Sequence, residues 1–552
     1  MISNSMIDRV RELDIARERS RRTWTCIYTA NANAAAVAVA VAVAFLAPLA
    51  YLVVRVVGEG SGLDAVVDRE RSLRALGNSL RLAGAVSLTA AIIGTGLAWL
   101  TTRSDVPLRR LWAVLAPLPL VVPSFVGAAA LLAAVAPGGL VDELAPGLGV
   151  DRLPEVEGFG GAWFVLTLFT YPYVYLPVAA RLASLSPSLE ESARLLGRRP
   201  AQVFRTVVLP QAATAIWAGT LLVFLYVVSD FGAVAQLRYR TLTVEIFDSR
   251  LFNQPEALFL GLVLAVVALA VVALERRAQR RRSVVEVARA KRALVVPLGR
   301  WRWPATAMAS VVAVSALLGP LAVLGYWSVR GYVAGDERAR PDLGELVEPA
   351  VATGALGLGA AALTIAVVLP VAYLTSRYRS RLGGVVNAAV VGGFALPGLI
   401  VALAAVYWTL QGPTWTARFY QTVPMLLAAY AIHFGAQGLR AAQVAVGAVP
   451  RRLDDAARTL GAGRWRRLRT VELPLMVPGL LAGAGLVMLS TMKELPATLL
   501  LRPTTFDTLA VHVWSARENA RWADTGTAAL VLVGVSGVLT WLLVLRHAER
   551  LD

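Results

Sequence analysis

Long apolar runs without a single charge constrain this chain more than any other feature. From Ala34 to Val54 no charged residue occurs, and crossing a bilayer as a helix takes about 20 such residues. A soluble core of this size breaks its apolar residues into shorter amphipathic segments. Only 16% of the 552 residues are charged, against about 25% in soluble proteins, and those sit in short clusters between the runs. The pattern predicts an all-α polytopic membrane protein with about twelve transmembrane helices. They fall near 33–56, 79–101, 111–136, 161–184, 211–233 and 254–275, then near 303–327, 350–375, 386–410, 422–440, 475–499 and 525–546.

The chain thus divides into an amino-terminal segment (1–32), a first six-span half (33–275), a basic linker (276–302), a second six-span half (303–546) and a short tail (547–552). The first apolar run exceeds the roughly 7–15 residues of a signal core and has a long charged lead-in, so a retained anchor is expected. Cys26 is the lone cysteine, which leaves neither an intrachain disulfide nor a CxxC metal site. The net charge of +18 raises nucleic acid as a partner, but its distribution answers otherwise. With the amino terminus inside, most of the 54 Lys and Arg fall on inner loops while acidic residues lean outward. That is the positive-inside pattern of a protein in a cell membrane, with both termini cytoplasmic. Nucleic-acid binding requires a basic face on a soluble domain, and the sequence offers none.

Two inner loops are copies of one another. LEESARLLGRRPAQVFRTVVLP, from Leu189 to Pro210, aligns without a gap with LDDAARTLGAGRWRRLRTVELP, from Leu453 to Pro474, at an offset of 264. Further upstream the repeat persists at an offset of 274, where AWLTTR (Ala98 to Arg103) faces AYLTSR (Ala372 to Arg377) and Pro123 faces Pro397. Six spans separate the copies. An even number places both loops on one membrane side, a parallel repeat about an axis along the membrane normal. Two equivalent loops call for a partner with twofold symmetry.

These loops resemble the EAA loop of binding-protein-dependent ABC importer permeases. The motif maps onto Glu191, Ser192, Ala193, Gly197, Leu209 and Pro210, and in the second copy onto Asp455, Ala456, Ala457, Gly461, Leu473 and Pro474. Ser192 and Asp455 depart mildly from it. The resemblance implies two fused permease halves of the type I importer kind, whose loops form coupling helices docked on an ABC ATPase dimer. It also implies an extracytoplasmic substrate-binding protein as a partner. In physical terms the small residues permit close helix contact, the Gly adopts the positive φ that ends a helix, and the Pro starts the next span.

The ATPase is expected on a separate chain. A Walker A loop needs a Lys before Ser or Thr to reach the phosphates, and the two lysines, Lys291 and Lys493, have neither neighbour. The three histidines, His433, His512 and His547, lack metal-ligand spacing. No catalytic residue and no cofactor is therefore expected in this chain, with ATP and Mg bound by the partner. An ion-gradient-driven secondary transporter, the reading of another class, is marked by inverted repeats, whereas this repeat is parallel.

SDFGAVAQL from Ser229 and KELPATLLLRPTTFDTLAV from Lys493 resemble the ferric-iron branch of these permeases, with thiamine, polyamine and phosphonate permeases as near relatives. Asp230 and Glu494 align at the 264 offset, one in each half. Acidic residues at spans are costly and mark a pathway or a structural pair, and iron(III) prefers hard oxygen ligands. Asp230, Lys493 and Glu494 are accordingly the candidate pathway residues. The alternatives are that Lys493 or a loop Arg neutralises Glu494 as a packing pair, and that Asp230-Phe231-Gly232 caps a helix end. Tyr171, Tyr173 and Tyr175 are further oxygen donors, although interfacial tyrosines are common. The sequence names no metal site.

Overall fold

The computed structural model describes residues 36–58, 68–144, 146–148, 155–185, 188–280, 295–333, 341–377, 381–394 and 396–540. The expected amino-terminal segment 1–32, most of the linker and the tail lie outside them. Within them the regular structure is helical, apart from one isolated bridge between Ser104 and Val296.

In the first half, α1 is Ala36–Gly58, α2 Arg69–Arg103, α3 Arg109–Leu115, α4 Ser124–Val135, α5 Phe159–Ser184, α6 Ser188–Leu195, α7 Pro200–Ser229, α8 Gly232–Gln236, α9 Leu242–Phe252 and α10 Gln254–Arg280. The second half repeats the order: α11 Gly299–Val333, α12 Val347–Arg377, α13 Arg381–Phe394, α14 Gly398–Gln411, α15 Val423–Ala448, α16 Arg451–Thr459, α17 Arg464–Met492, α18 Pro496–Leu501, α19 Leu509–Glu518 and α20 Trp522–Thr540. Among the described residues ten helices are long and apolar enough to cross a membrane, or eleven if the bent pair around Pro397 is one span.

Within the described residues each of the twelve expected spans lies largely on helix, with instructive differences; 33–35, 395 and 541–546 fall outside those residues. The third span of each half is broken. Pro117, Pro119 and Pro123 separate α3, a 3-10 turn at Leu118–Val121, and α4. In the second half the axis turns by 95° before Gly398. Proline lacks the N–H and its ring strikes the preceding turn, so a straight helix cannot continue there. The fifth spans end earlier than expected, at Ser229 and Met492. The candidate acids therefore stand in breaks between helices rather than inside them.

α15 is 26 residues long but is interrupted by His433, Gln437, Arg440 and Gln443. It packs among α12, α13 and α17, so protein meets His433, Gln437 and Gln443, while Arg440 is exposed. Gln443 Nε2 donates to Thr375 Oγ1 and Asn387 Oδ1, both at 2.9 Å, and Gln437 Oε1 accepts from Ser490 Oγ at 3.0 Å. Polar side chains facing a bundle interior are tolerated on these terms.

The halves are interleaved, which the repeat did not announce. Phe45 on α1 is buried among Val368, Val371, Val390 and Leu439 of the second half. Its ring occupies the space that a Cβ at Gly435 would fill; between lipid-embedded helices such small-residue contacts drive association. In return α11 lies on the first half, where Trp327 Nε1 donates to the Ala133 carbonyl at 2.8 Å and Tyr326 Oη to the Gly138 carbonyl at 3.1 Å. Arg330 pairs with Glu143 at the same place.

Candidate functional site

The copied loops have the same geometry. α6 and α16 each stop at a glycine with positive φ, +78° at Gly197 and +77° at Gly461. Gly197 N–H donates to the Arg194 carbonyl and Arg198 N–H to the Ala193 carbonyl; Gly461 and Ala462 repeat this with Arg458 and Ala457. The paired bonds form a Schellman stop, which requires a residue free to adopt the left-handed region. Glu191, Ser192, Asp455 and Ala456 are exposed, while Ala193 is buried and Ala457 half-buried. The apex of each stop is apolar and open: Leu195, Leu196 and Leu460 are 89%, 82% and 86% exposed.

One expectation is corrected here. Pro210 and Pro474 do not start their spans, because α7 and α17 already run from Pro200 and Arg464. Each proline instead follows a single widened turn, Phe204–Val208 or Leu468–Glu472, in which Leu209 N–H reaches back to the Phe204 carbonyl and Leu473 N–H to Leu468. The five-residue step absorbs the missing donor without breaking the helix. Leu209 and Leu473 stand at that step.

The loops are anchored differently, through residues the motif does not contain. Arg103, at the end of α2, is buried and pairs with Glu190 at 2.7 Å. It also donates to the Leu182 carbonyl at 3.0 and 2.6 Å. In the second half Asp454 matches Glu190 but pairs with Arg467 at 2.7 Å and Arg458 at 3.0 Å, both on its own side of the repeat. AWLTTR and AYLTSR flagged Arg103 and Arg377; burial of Glu190 rather than Glu191 had no sequence signal.

At the far end of α7 and α17, a cavity of about 390 Å³ lies between the halves. Asp230, Lys493 and Glu494 all line it, together with Ser124, Tyr173, Tyr226, Gly398, His433 and Arg440. Tyr173 is the one of the three candidate tyrosines on its wall; Tyr171 is buried elsewhere, and Tyr175 Oη bonds Thr101 Oγ1 at 3.1 Å. Asp230 Oδ2 accepts from Ser124 Oγ at 2.5 Å, and Oδ1 accepts from the N–H groups of Ala233 and Val234. Tyr226 Oη in turn donates to Ser124 Oγ at 3.3 Å. Glu494 likewise accepts from Ala497 N–H at 3.0 Å. Each acid thus caps the short helix that follows it and also faces the cavity.

The residue opposite each acid differs between the halves along with the acid's length. Ser124 and Gly398 match at the 274 offset. Serine reaches the shorter Asp230, whereas at Gly398 an added Cβ would collide with the Glu494 carboxylate. Lys493 does not pair with Glu494 as the packing alternative held. Its Nζ donates to the Leu120 carbonyl at 2.9 Å, crossing from the second half to the broken span of the first. Among the described residues neither carboxylate has an ion-pair partner, and no group of three or more His, Cys, Asp or Glu is placed to hold a metal ion.

Comparison with known proteins agrees with this architecture. The profile of the family described as "Binding-protein-dependent transport system inner membrane component" matches twice, over residues 90–284 and 349–551. An Fe(3+)-transport system permease protein of Haemophilus influenzae is 28% identical over 504 residues, covering 90% of this chain and 94% of that protein. The molybdenum transport system permease proteins of Azotobacter vinelandii and Mycobacterium tuberculosis are 29% and 30% identical. They cover 32% and 41% of this chain but 81% and 86% of their own lengths, so each corresponds to about one half. Two family matches on two structurally repeated halves leave one conclusion: the chain belongs to the inner membrane components of binding-protein-dependent transport systems, with two such units fused in one polypeptide.

Proposed function

We propose that this chain is the transmembrane permease of an ATP-driven importer of iron(III), coupled through α6 and α16 to a separate ATPase dimer. The carrying observation is the continuity from loop to cavity in both halves. Each Schellman stop leads within three residues into a helix of 30 or 29 residues, about 45 Å at 1.5 Å per residue. Each of those helices ends on one of the acids of the shared cavity. A displacement of the exposed leucines at the loops is thereby carried to Asp230 and Glu494. The positive-inside pattern supports a cytoplasmic position for both loops and both termini, and so an extracytoplasmic position for the face on which a binding protein presents the solute.

The near full-length Haemophilus relative supports iron as cargo, and two carboxylates on facing walls suit a hard cation. Two acids without a third ligand make a passing site rather than a cage, and a tight cage would stall release. A second reading, molybdenum in anionic form, draws on the half-length relatives and on Lys493, Arg440 and His433 in the same wall. Uptake of labelled iron(III) by vesicles containing permease, ATPase and binding protein tests both. ATP-dependent accumulation of iron that excess molybdate leaves unchanged supports the first reading, and its absence sinks it.

A further inference from the structure

A second cavity, of about 710 Å³, opens in the first half between α2, α6 and α7. Its long wall is apolar, running along α2 from Ala91 and Ile92 through Gly96 and Trp99 and across to Val208 and Ile216. Its short rim is charged, with the Arg103–Glu190 pair, Arg194 and Arg205. From Ala91 to Arg103 the helix rises about 18 Å, close to the roughly 15 Å of one leaflet of the hydrocarbon core. Ile92 is 65% exposed, so the apolar end lies open on the bundle surface. At the rim, Glu190 neutralises Arg103, whereas the buried Nε of Arg194 has no hydrogen-bond partner among the described residues, and Arg205 is exposed.

We propose that this cavity binds one anionic phospholipid of the cytoplasmic leaflet, its acyl chains along Ile92, Trp99 and Ile216 and its phosphate on Arg194 and Arg205. The volume falls in the usual range for ligand sites, about 300–1,000 Å³, and basic pockets between spans on the inner side suit anionic headgroups. The second half argues for specificity. There Glu472 replaces Val208 and is buried with its carboxylate accepting from Tyr373 Oη at 2.9 Å. Arg458, the match of Arg194, is occupied by Asp454. An acid in the wall and a neutralised arginine reject an anion, so the lipid belongs to the first half alone. It would touch α6 and the widened turn of α7 together, filling the space between the coupling loop and the span it moves.

The proposal rests on the cytoplasmic sidedness given above, but its test does not depend on transport. The full chain is purified from nanodiscs of phosphatidylglycerol and phosphatidylcholine, and retained lipids are counted by native mass spectrometry. Gly96→Leu is the blocking variant, since a Cβ there meets nothing within 4 Å and only the cavity is filled. Wild type is expected to keep one more phosphatidylglycerol than Gly96→Leu. Arg205→Gln should cut the preference over phosphatidylcholine about tenfold, and Arg469→Gln, its second-half match, should leave it unchanged. Equal counts for wild type and Gly96→Leu overturn the site, as does equal retention of the two lipids. Either result leaves the importer reading intact, whereas loss of ATPase binding or iron uptake leaves the lipid count unmoved.

Discussion

The proposed coupling loop of the first half is bolted to a neighbouring helix, while that of the second pairs only within its own side of the repeat. Arg103 reaches from α2 into α6, buried with Glu190. Its match Arg377 makes no such reach, and its Nε is buried without a hydrogen-bond partner among the described residues. Asp454 turns instead to Arg467 and Arg458. Identical backbone stops can therefore be mounted with different stiffness. The first loop is tied to α2 and α5 as well as leading into α7, whereas the ion pairs of the second run only within its own loop and into α17. A two-fold ATPase would meet one rigid and one compliant docking point.

The largest expected effect tests that difference directly. Arg103→Ala strands Glu190 in a buried site, and breaking a buried pair costs about 3–5 kcal/mol. Its thermal stability in detergent should fall steeply, and Glu190→Gln should fall less because the amide still accepts a hydrogen bond. Asp454→Asn should lose less, about 1–2 kcal/mol, since Arg458 is largely exposed, where pairs are weak, and the partly buried Arg467 keeps the amide oxygen as an acceptor. Equal melting shifts for Arg103→Ala and Asp454→Asn would erase the distinction between the loops.

Next come the glycines. Valine at Gly197 or Gly461 must adopt a left-handed φ at a cost of about 1–2 kcal/mol. In the bolted loop that strain has no outlet, so Gly197→Val should reduce co-purification of the ATPase more than Gly461→Val, with both permeases still inserted. The reverse order, measured by pull-down, would show that the second loop is the stiffer.

Smaller effects are expected in the cavity. Asp230→Asn and Glu494→Gln should each lower iron uptake several-fold while basal ATP hydrolysis stays near normal. Gly398→Ala should mimic Glu494→Gln by displacing the carboxylate. Uptake that falls only in proportion to lost melting temperature would assign these acids to helix capping alone. The smallest change is expected for Lys493→Met, which removes one charged hydrogen bond, worth about 1.5–3 kcal/mol, between the halves. Basal ATP hydrolysis should rise modestly as the halves part more easily; an unchanged rate would mean that the Leu120 contact restrains nothing.

Much of this was legible in the residues. The uncharged runs and the two gap-free loops carry the class, the repeat and the position of Gly197 and Gly461, because these depend on local composition and backbone conformation. Asp230 and Glu494 stand out through the 264 offset together with the segments SDFGAVAQL and KELPATLLLRPTTFDTLAV that carry them. Pro123 and Pro397 hinted at the broken spans, but where a helix bends depends on what packs beside it. The polar stripe of α15 hid its enclosure, since hydropathy reads a residue without its neighbours. Of the two readings open for Lys493, the pair with Glu494 fails because the adjacent acid in sequence is not its acceptor in space: Leu120, 373 residues away, is. The Ser124 and Gly398 exchange was available at the 274 offset but gains meaning only beside the side chains they face.

The exchange of first helices sets a schedule for biosynthesis. Phe45 emerges early from the ribosome, yet Gly435, whose missing side chain receives it, is 390 residues further on. At about 5–20 residues per second the groove is roughly 20–80 s late. Throughout that interval the Phe45 face of α1 must wait unmatched in the bilayer. A half chain made alone would never receive its complement and would offer the bare face to another copy. Joining the two units in one polypeptide guarantees that every early helix is answered by its own late partner, once per molecule and in equal number.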